Sequence, residues 1–457
     1  MFSERLRKIA VETVRYAEKQ KVNQAQASAF LIDTALTRFA NSQIHQNVAK
    51  KSGGVIIKVI LDKQISTIAA NTLEDEEIQK AVQQAVKIAK ASSPNKEFKS
   101  LPKPEAWHPI EGAFCKETAT CEPEFRAEKV KEAIETAHSK SSKVQAVAGY
   151  FSSGSMSYAV ANSLGVSAWA DVSVAYMKTT VISKSGVSEG FGTAEKYSRR
   201  IKDIEPSVLA EDAADKSVRS LNPVRIDPGE YEVVLSPLAT ATLLMYVGLV
   251  GFSATPYQDG QSFVKYCADQ RVFDSKLSVL DDARDPETLY AMPVDGEGVP
   301  KKTLELVDKG VVSEKSICYN SFTAGKENKK STGHAPPPIG DYYGGRPGPF
   351  NMIMRPVDAT LEEAVAETKH GIFVTTVHYV NPVEPTKVIL TGLTRDGTFL
   401  IENGEMTKPI VNMRFTDSVL SAFKEIPMIG KQLEMLRSTT VPMVKLKNLR
   451  FVGVSAY

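Results

Sequence analysis

Only four cysteines occur in 457 residues: Cys115, Cys121, Cys267 and Cys318. None has C-x-x-C spacing, and the Cys115/Cys121 spacing, with no His within it, fits no common zinc pattern. So few thiols in so long a chain fit a reducing compartment, and a cytoplasmic protein is expected. Histidine is equally scarce: His45, His108, His138, His334, His370 and His378. No two are spaced to put a pair of imidazoles on one helix face, as a zinc-binding helix requires. Charge of one sign is also missing. Lys and Arg total 56 against 54 Asp and Glu, a net charge of +2. That balance argues against direct nucleic-acid binding, which needs a basic excess. There is no P-loop, and no G-x-G-x-x-G stands between a strand and a helix. The one G-x-S-x-G match, Gly186, Ser188 and Gly190, is followed by Gly192 rather than an apolar helical face. It reads as a polar loop, not a nucleophile elbow. The N-terminal MFSERLRKIAVETVRYAEK carries both signs of charge, unlike a signal peptide. The most apolar run, Leu235–Ala254, contains Pro237 and has no basic flanks, so no membrane span is expected.

What is present is an ordinary globular composition, 42% hydrophobic and 24% charged. The length suggests more than one domain. Leu6, Ile9, Ala10, Thr13 and Ala17 recur at helical spacing. Strand-like runs follow at Ala25–Leu31, Thr37–Gln46 and Val55–Ile60. A second helix, with Thr72 as its expected cap, has Ile78, Val82, Ala85 and Ala89 on one face. The same order then repeats. A helix over Glu124–His138 precedes strand-like runs at Val144–Tyr150, Ser155–Val166 and Val174–Ile182. Another helix starts near Pro206, where proline suits the first turn. Ala40-Asn41-Ser42 and Ala161-Asn162-Ser163 recur at matching places in the two copies. An α+β fold is expected, with an N-terminal α/β domain over 1–225 built from two related units, about 1–91 and 122–225, with antiparallel sheets. Ser92–Cys121, rich in proline and polar residues, would link them.

Residues 226–457 have a different texture. Short β-rich runs are separated by turn signals at Asp308-Lys309-Gly310, Arg395-Asp396-Gly397 and Glu402-Asn403-Gly404. Asn403-Gly404 suits a type I′ hairpin turn, which needs two positive φ angles. This half should be mainly β with a few inserted helices: Ser236–Ala254, Thr360–Thr368 and Thr416–Lys424. The proline- and glycine-rich Ala335–Phe350 reads as a rigid surface loop. Three residues could carry acid–base chemistry. Asp295 and Glu297 sit two apart among glycines, and a polar turn is the simpler reading of them. His378 lies at one end of the strand-like run GIFVTTV, with His370 at the other.

Four motifs in order resemble the TldD/PmbA family. VDGEGVPKKTLELVDKGVV (294–312) carries Gly298, Pro300, Thr303 and Gly310 at the places of its D-x-E-G-x-P-x-x-x-T-x-L-x-x-x-G segment. STGHA (331–335), with Gly333, is similar to its S-T-G-N element. TLEEAVAETKHGIFVTTVH (360–378) and TRDGTFLIENGEMTKPIVNMRFTDSVL (394–420), with Asn403 and Gly404, resemble two more. In that family, the catalytic subunit is a zinc metallopeptidase. The resemblance implies a helix with H-E-x-x-x-H and a third, cysteine ligand near the C-terminus, around an activated water. This chain has LATATLLMYVGLVGFSA in the helix's place, so Met245, Tyr246, Val250 and Gly251 stand at lost-site positions. Its C-terminal stretch has no cysteine, and a Met sulfur is a poor zinc ligand. That departure resembles the metal-free PmbA (TldE) side of the family. It implies no cofactor in this chain and zinc in a TldD-like partner. It also implies a heterodimer, or self-association, around a shared cleft for a peptide. The alternatives are a stand-alone hydrolase using Asp295, Glu297 or His378, and an interaction protein linked to modulation of DNA gyrase.

Overall fold

The computed structural model describes residues 2–338 and 345–454; part of the loop expected over Ala335–Phe350 therefore lies outside the described residues. The first half alternates helices and long strands. Helix α1 (Phe2–Lys19) is followed by β1 (Gln24–Ala40), β2 (Gln43–Leu61), β3 (Gln64–Ala70) and α2 (Asp75–Ala91). After the one-turn α3 (Lys116–Ala119), α4 (Pro123–Lys140) leads into β4 (Val144–Asn162), β5 (Ser167–Ser185), β6 (Ser188–Ser198) and α5 (Pro206–Arg219). The two units do not form separate sheets. Their strands join in one antiparallel sheet in the order β3-β2-β1-β4-β5-β6. The seam is β1 against β4, from Gln26↔Asn162 to Phe39↔Gly149 without a break in register.

The helices cover one face of this sheet. Leu6, Ala10 and Ala17 of α1 and Ile78, Val82 and Ala85 of α2 are buried against Ala27, Val55 and Ile57. Val130 and Ala133 of α4 and Ala210 and Ala213 of α5 are buried against Met177 and Val181. Each fully buried Val, Leu or Ile contributes about 1.5–3 kcal/mol from apolar burial. The sheet's other face, with Tyr158, Val160, Ala168 and Val172, packs on Leu289, Tyr290 and Val294 from the second half.

Several expected elements need correction. The run Thr37–Gln46 is not a strand but the end of one hairpin arm and the start of the next. Asn41 and Ser42, with φ of 50° and 61°, make the turn between them. The runs Val144–Tyr150 and Ser155–Val166 belong to the single strand β4. The small residues between them had the look of a break. At Gly154 a Cβ would come within 2.3 Å of the Asp33 carbonyl oxygen, so a side chain is excluded by the seam itself. Strands β3 and β6 had no counterpart among the expected runs. Helix α2 has Glu74 at its cap position, and the Thr72 hydroxyl instead accepts a bond from the Glu74 N–H at 3.1 Å. The two shared tripeptides do fall at matching corners, closing β1–β2 and β4–β5. Asn162 Oδ1 braces the second corner by accepting from Leu164 N (2.9 Å) and Val166 N (3.1 Å).

The second half is built on short strands. β7 (Gly229–Leu235), β8 (Val279–Asp281), β9 (Leu304–Val307) and β10 (Met352–Met354) are followed by β11 (His370–Glu384), β12 (Ile389–Glu402), β13 (Glu405–Pro409) and β14 (Met413–Ser418). β15 (Met428–Ile429), β16 (Glu434–Leu436), β17 (Thr439–Val441) and β18 (Val444–Val454) complete it. One sheet runs β11-β7-β18-β14-β12-β13, and because β11 also pairs with β12, five of its strands close into a ring. β7 and β11 are parallel; the other pairs of the ring are antiparallel. Val233, Leu235, Ile372, Val374, Leu390 and Phe415 belong to the large core of this half. A second sheet runs β16-β17-β10-β8-β9. Asn403 and Gly404, with φ of 52° and 85°, form the expected hairpin turn between β12 and β13. The expected helix at Thr416–Lys424 is only one turn, Val419–Ala422, capped by Ser418; Thr416 belongs to β14. No described helix is long and apolar enough to cross a membrane.

Candidate functional site

Helix α6 (Pro237–Gly251) follows β7 directly. Ser236 caps it, its hydroxyl accepting from Ala239 N at 3.5 Å while donating to the Thr375 carbonyl, and Pro237 fills the first turn. Leu243, Leu244, Val247 and Val250 are buried in the core. The face bearing Leu238, Ala241, Thr242, Met245 and Leu249 instead lines an open cleft of about 710 Å³. The opposite wall is the β5–β6 end of the large sheet, with Lys178, Thr180, Thr193, Glu195 and Tyr197. Thr376, Val377 and His378 of β11, Arg395 and Asp396 of β12, and Leu436–Thr439 complete it. That volume falls in the range of small-molecule and short-peptide sites.

A hydrogen-bonded chain crosses the cleft floor. Thr180 and Thr193 share a bond of 2.9 Å across β5 and β6. Thr193 then donates to Asp396 Oδ2 at 2.9 Å. Arg395 Nε donates to Asp396 Oδ1 at 3.2 Å, and Arg395 Nη1 lies 3.3 Å from His378 Nδ1. Burial, and then the Arg395 charge, hold the His378 imidazole below its ordinary pKa. It is therefore neutral at pH 7, with Nδ1 placed to accept from the guanidinium. Arg395-Asp396-Gly397 had the signature of a turn between strands. It lies inside β12, where the pairing with β11 shifts register, and Asp396 (φ 53°) and Gly397 (φ 110°) form the irregularity. The kink brings the Asp396 side chain onto the Thr193 hydroxyl of β6. Nothing local in the sequence signals that contact, which spans the two halves of the chain.

Asp295 and Glu297 do not join His378. Both are buried in the turn around Gly296 and Gly298, and Asp295 borders a separate, very small void beside Tyr158 and Lys301. Asp295 accepts from Glu297 N, Val299 N and Ala335 N, each at 2.9 Å. Burial, and then the neighbouring Glu297, push its carboxyl up, against the pull of those three N–H groups. Glu297 accepts from Ser321 N at 2.8 Å and lies 3.8 Å from Lys58 Nζ. These carboxylates hold loops together. The family-motif residues do the same. Gly333 lies where a Cβ would be 2.3 Å from the Pro300 oxygen, and Gly298 (φ 78°) faces Val166. Thr303 donates to Asp282 at 2.9 Å, and Gly310 lies where a Cβ would be 2.2 Å from the Phe273 oxygen.

A third group of polar residues had no clear sequence signal. His334, fully buried, contacts Asp281 Oδ2 through Nε2 at 2.9 Å and Thr332 O through Nδ1 at 2.9 Å. Lys301 Nζ lies 3.5 Å from Asp281 and 3.0 Å from Asn351 Oδ1. Burial alone would raise the Asp281 carboxyl, but Lys301 and His334 hold it at about 2.

The lost-site positions offer nothing that fits zinc. Met245 faces the cleft as a thioether; the Tyr246 hydroxyl donates to the Val380 carbonyl. Val250 is buried, and at Gly251 a Cβ would lie 2.3 Å from the Phe263 ring. The space a ligand side chain would need there is filled by phenylalanine. Among the described residues, no group of three or more His, Cys, Asp or Glu side chains could hold a metal ion.

An α+β chain with this fold and these motifs groups with the PmbA/TldD metallopeptidase-like proteins. Residues 228–453 match the PmbA/TldA metallopeptidase C-terminal domain, 119–221 its central domain and 33–89 its domain 1. The chain belongs to the PmbA/TldD family. It is 22% identical over 392 residues to metalloprotease MJ0996 of Methanocaldococcus jannaschii, covering 84% of each chain. It is 28% identical over 195 residues to the uncharacterized protein MJ0231 of the same organism, covering 42% of this chain and 44% of that one. To the metalloprotease PmbA homolog of Haemophilus influenzae it is 23% identical over 277 residues, covering 59% and 56%. The crystal structure of TldE from Thermococcus kodakarensis superposes with a TM-score of 0.89 at 21% identity, covering 97% of this chain and 99% of that one. A putative modulator of a DNA gyrase from Thermotoga maritima superposes with a TM-score of 0.84 at 20% identity, with the same coverage.

Proposed function

We propose that this chain is the non-catalytic, TldE-like subunit of a cytoplasmic zinc metallopeptidase heterodimer that trims or degrades peptides. The observation that carries the reading is the cleft face of α6. Leu238, Ala241, Thr242, Met245 and Leu249 present no imidazole, carboxylate or thiolate there. Zinc and the water it activates would belong to a TldD-like partner. This chain's own part is to bind and orient the peptide and to exclude water from one side of a shared chamber. The likeness to TldE of Thermococcus kodakarensis supports the assignment to the metal-free side. A hydrolase acting alone through Asp295, Glu297 or His378 is less well supported, because the two carboxylates are committed to backbone N–H groups away from the imidazole.

Co-expression with a TldD-like chain from the same genome, followed by native mass spectrometry and elemental analysis, tests the proposal. A one-to-one complex carrying zinc is expected, with no zinc on this chain alone. A chain that stays separate from that partner, or that alone holds stoichiometric zinc and cleaves peptides, refutes it.

A further inference from the structure

We infer that the cleft binds a carboxylate of the peptide, on the wall made by Lys178 and Arg395, with an adjacent apolar side chain laid against α6. This rests on the peptide-holding reading above and names the chemistry the cleft selects. Lys178 lies directly across β5–β6 from Glu195, yet no ion pair joins them within 4.0 Å among the described residues. Glu195 instead accepts from the Tyr176 hydroxyl at 2.8 Å. The Lys178 ammonium borders the cleft with its N–H donors uncommitted to that carboxylate. Two residues along the same strand face, about 7 Å away, Thr180 begins the hydrogen-bonded chain that ends at Arg395.

Arg395 spends one N–H on Asp396 and directs another to His378. A guanidinium has five N–H donors, so several remain for a ligand, and its side chain is 51% exposed. Asp396 has both oxygens engaged, one by Thr193 and one by Arg395, and is fixed as an anchor rather than offered to a ligand. Glu195 also borders this wall, with Oε2 taken by Tyr176 and Oε1 open, but the N–H donors of Lys178 and Arg395 outnumber that acceptor. Facing them are Met245 and Leu249 where the family's catalytic helix would carry its metal. A carboxylate beside an apolar side chain matches both walls. It could be the carboxyl terminus of a peptide ending in an apolar residue, or an acidic side chain next to one.

The test is fluorescence anisotropy on the full chain with three labelled peptides that differ only at their last two residues, Ala-Leu in two and Glu-Leu in the third, and at the terminal group. One is the free acid, one the C-terminal amide, and one an amide with Glu before the Leu. The free acid is expected to bind about tenfold more tightly than the plain amide, the scale of a charge-assisted contact. If the Glu amide regains that tenfold, the side chain is the source; if not, the terminus is. K178Q and R395Q should each bring acid and amide close to equal affinity, and R395K should keep part of the difference. M245E should weaken the acid more than the amide. Circular dichroism of each variant separates lost binding from lost fold. Equal affinity of acid and amide for the unaltered chain overturns the carboxylate site and leaves peptide binding standing. No binding of any peptide overturns both.

Discussion

The two units of the large sheet share an element order but not a task. In the first, β3 pairs with Val55–Leu61 of β2, so among the described residues no strand pairs with the outer edge of Gln43–Gly54, and its side chains are largely exposed. In the second, β6 pairs along β5 from Ala175 to Ser185, and its inward face meets the second half of the chain. The same local design gives a free ribbon in one place and a cleft wall in the other. What separates them is the length of the third strand and the polar side chains on it. The cleft lies where one repeat meets the second half of the chain.

The largest expected effect comes from breaking the seam that joins the units. G154V forces a branched side chain against the Asp33 carbonyl and Thr34. It should cost about 3 kcal/mol, the upper range for overpacking, read as a fall in thermal midpoint. Next is acid, which should loosen what packs on the second unit while sparing the first unit's helix-covered face. Asp281 titrates at about 2 in the fold, below the value of about 3.9 for a free carboxyl. Its stabilisation is fully present above about pH 4 and is lost as pH falls through about 2. It amounts to about 2.6 kcal/mol. Hydrogen exchange below pH 3 should rise first around 279–302 and 331–335. D281N should flatten that acid limb while lowering stability at neutral pH. T193V comes third, because it strips a bond from the buried Asp396 carboxylate and should cost about 1.5 kcal/mol. Its counterpart on the free ribbon should hardly register. Asp33 and Lys51 pair at 3.1 Å but are half-exposed, and D33N should change stability by about 0.3 kcal/mol, measured by denaturant titration.

Legibility followed the range of the interaction. Helical faces such as Ile78, Val82, Ala85 and Ala89 were readable because a 3.6-residue period is written locally and all four are buried. The Asn403-Gly404 turn was readable for the same reason. The long strands were not, since Ser152-Ser153-Gly154-Ser155 looks like a loop unless the opposing strand is known. Closure of the five-stranded ring depends on β7 finding β11 across more than a hundred residues of sequence, which no window contains. Of the candidate site, the apolar make-up of α6 was visible in its letters, whereas Arg395-Asp396-Gly397 resembled a simple turn. Its place at the cleft depends on Thr193, far away in the chain. His334 joins Asp281 and Lys301 from three separate segments, and only the fold assembles them.

The seam between β1 and β4 also sets an order of events at the ribosome. Residues 26–39 must wait for residues 149–162 to be synthesised before their second edge is filled. Until then a nascent chain exposes a long unpaired strand of the first unit. Two such chains on one message could satisfy each other through that strand, exchanging arms in place of completing themselves. Slow translation across 90–150 would lengthen that interval. Domain-swapped dimers joined at this seam are the misassembly the architecture invites.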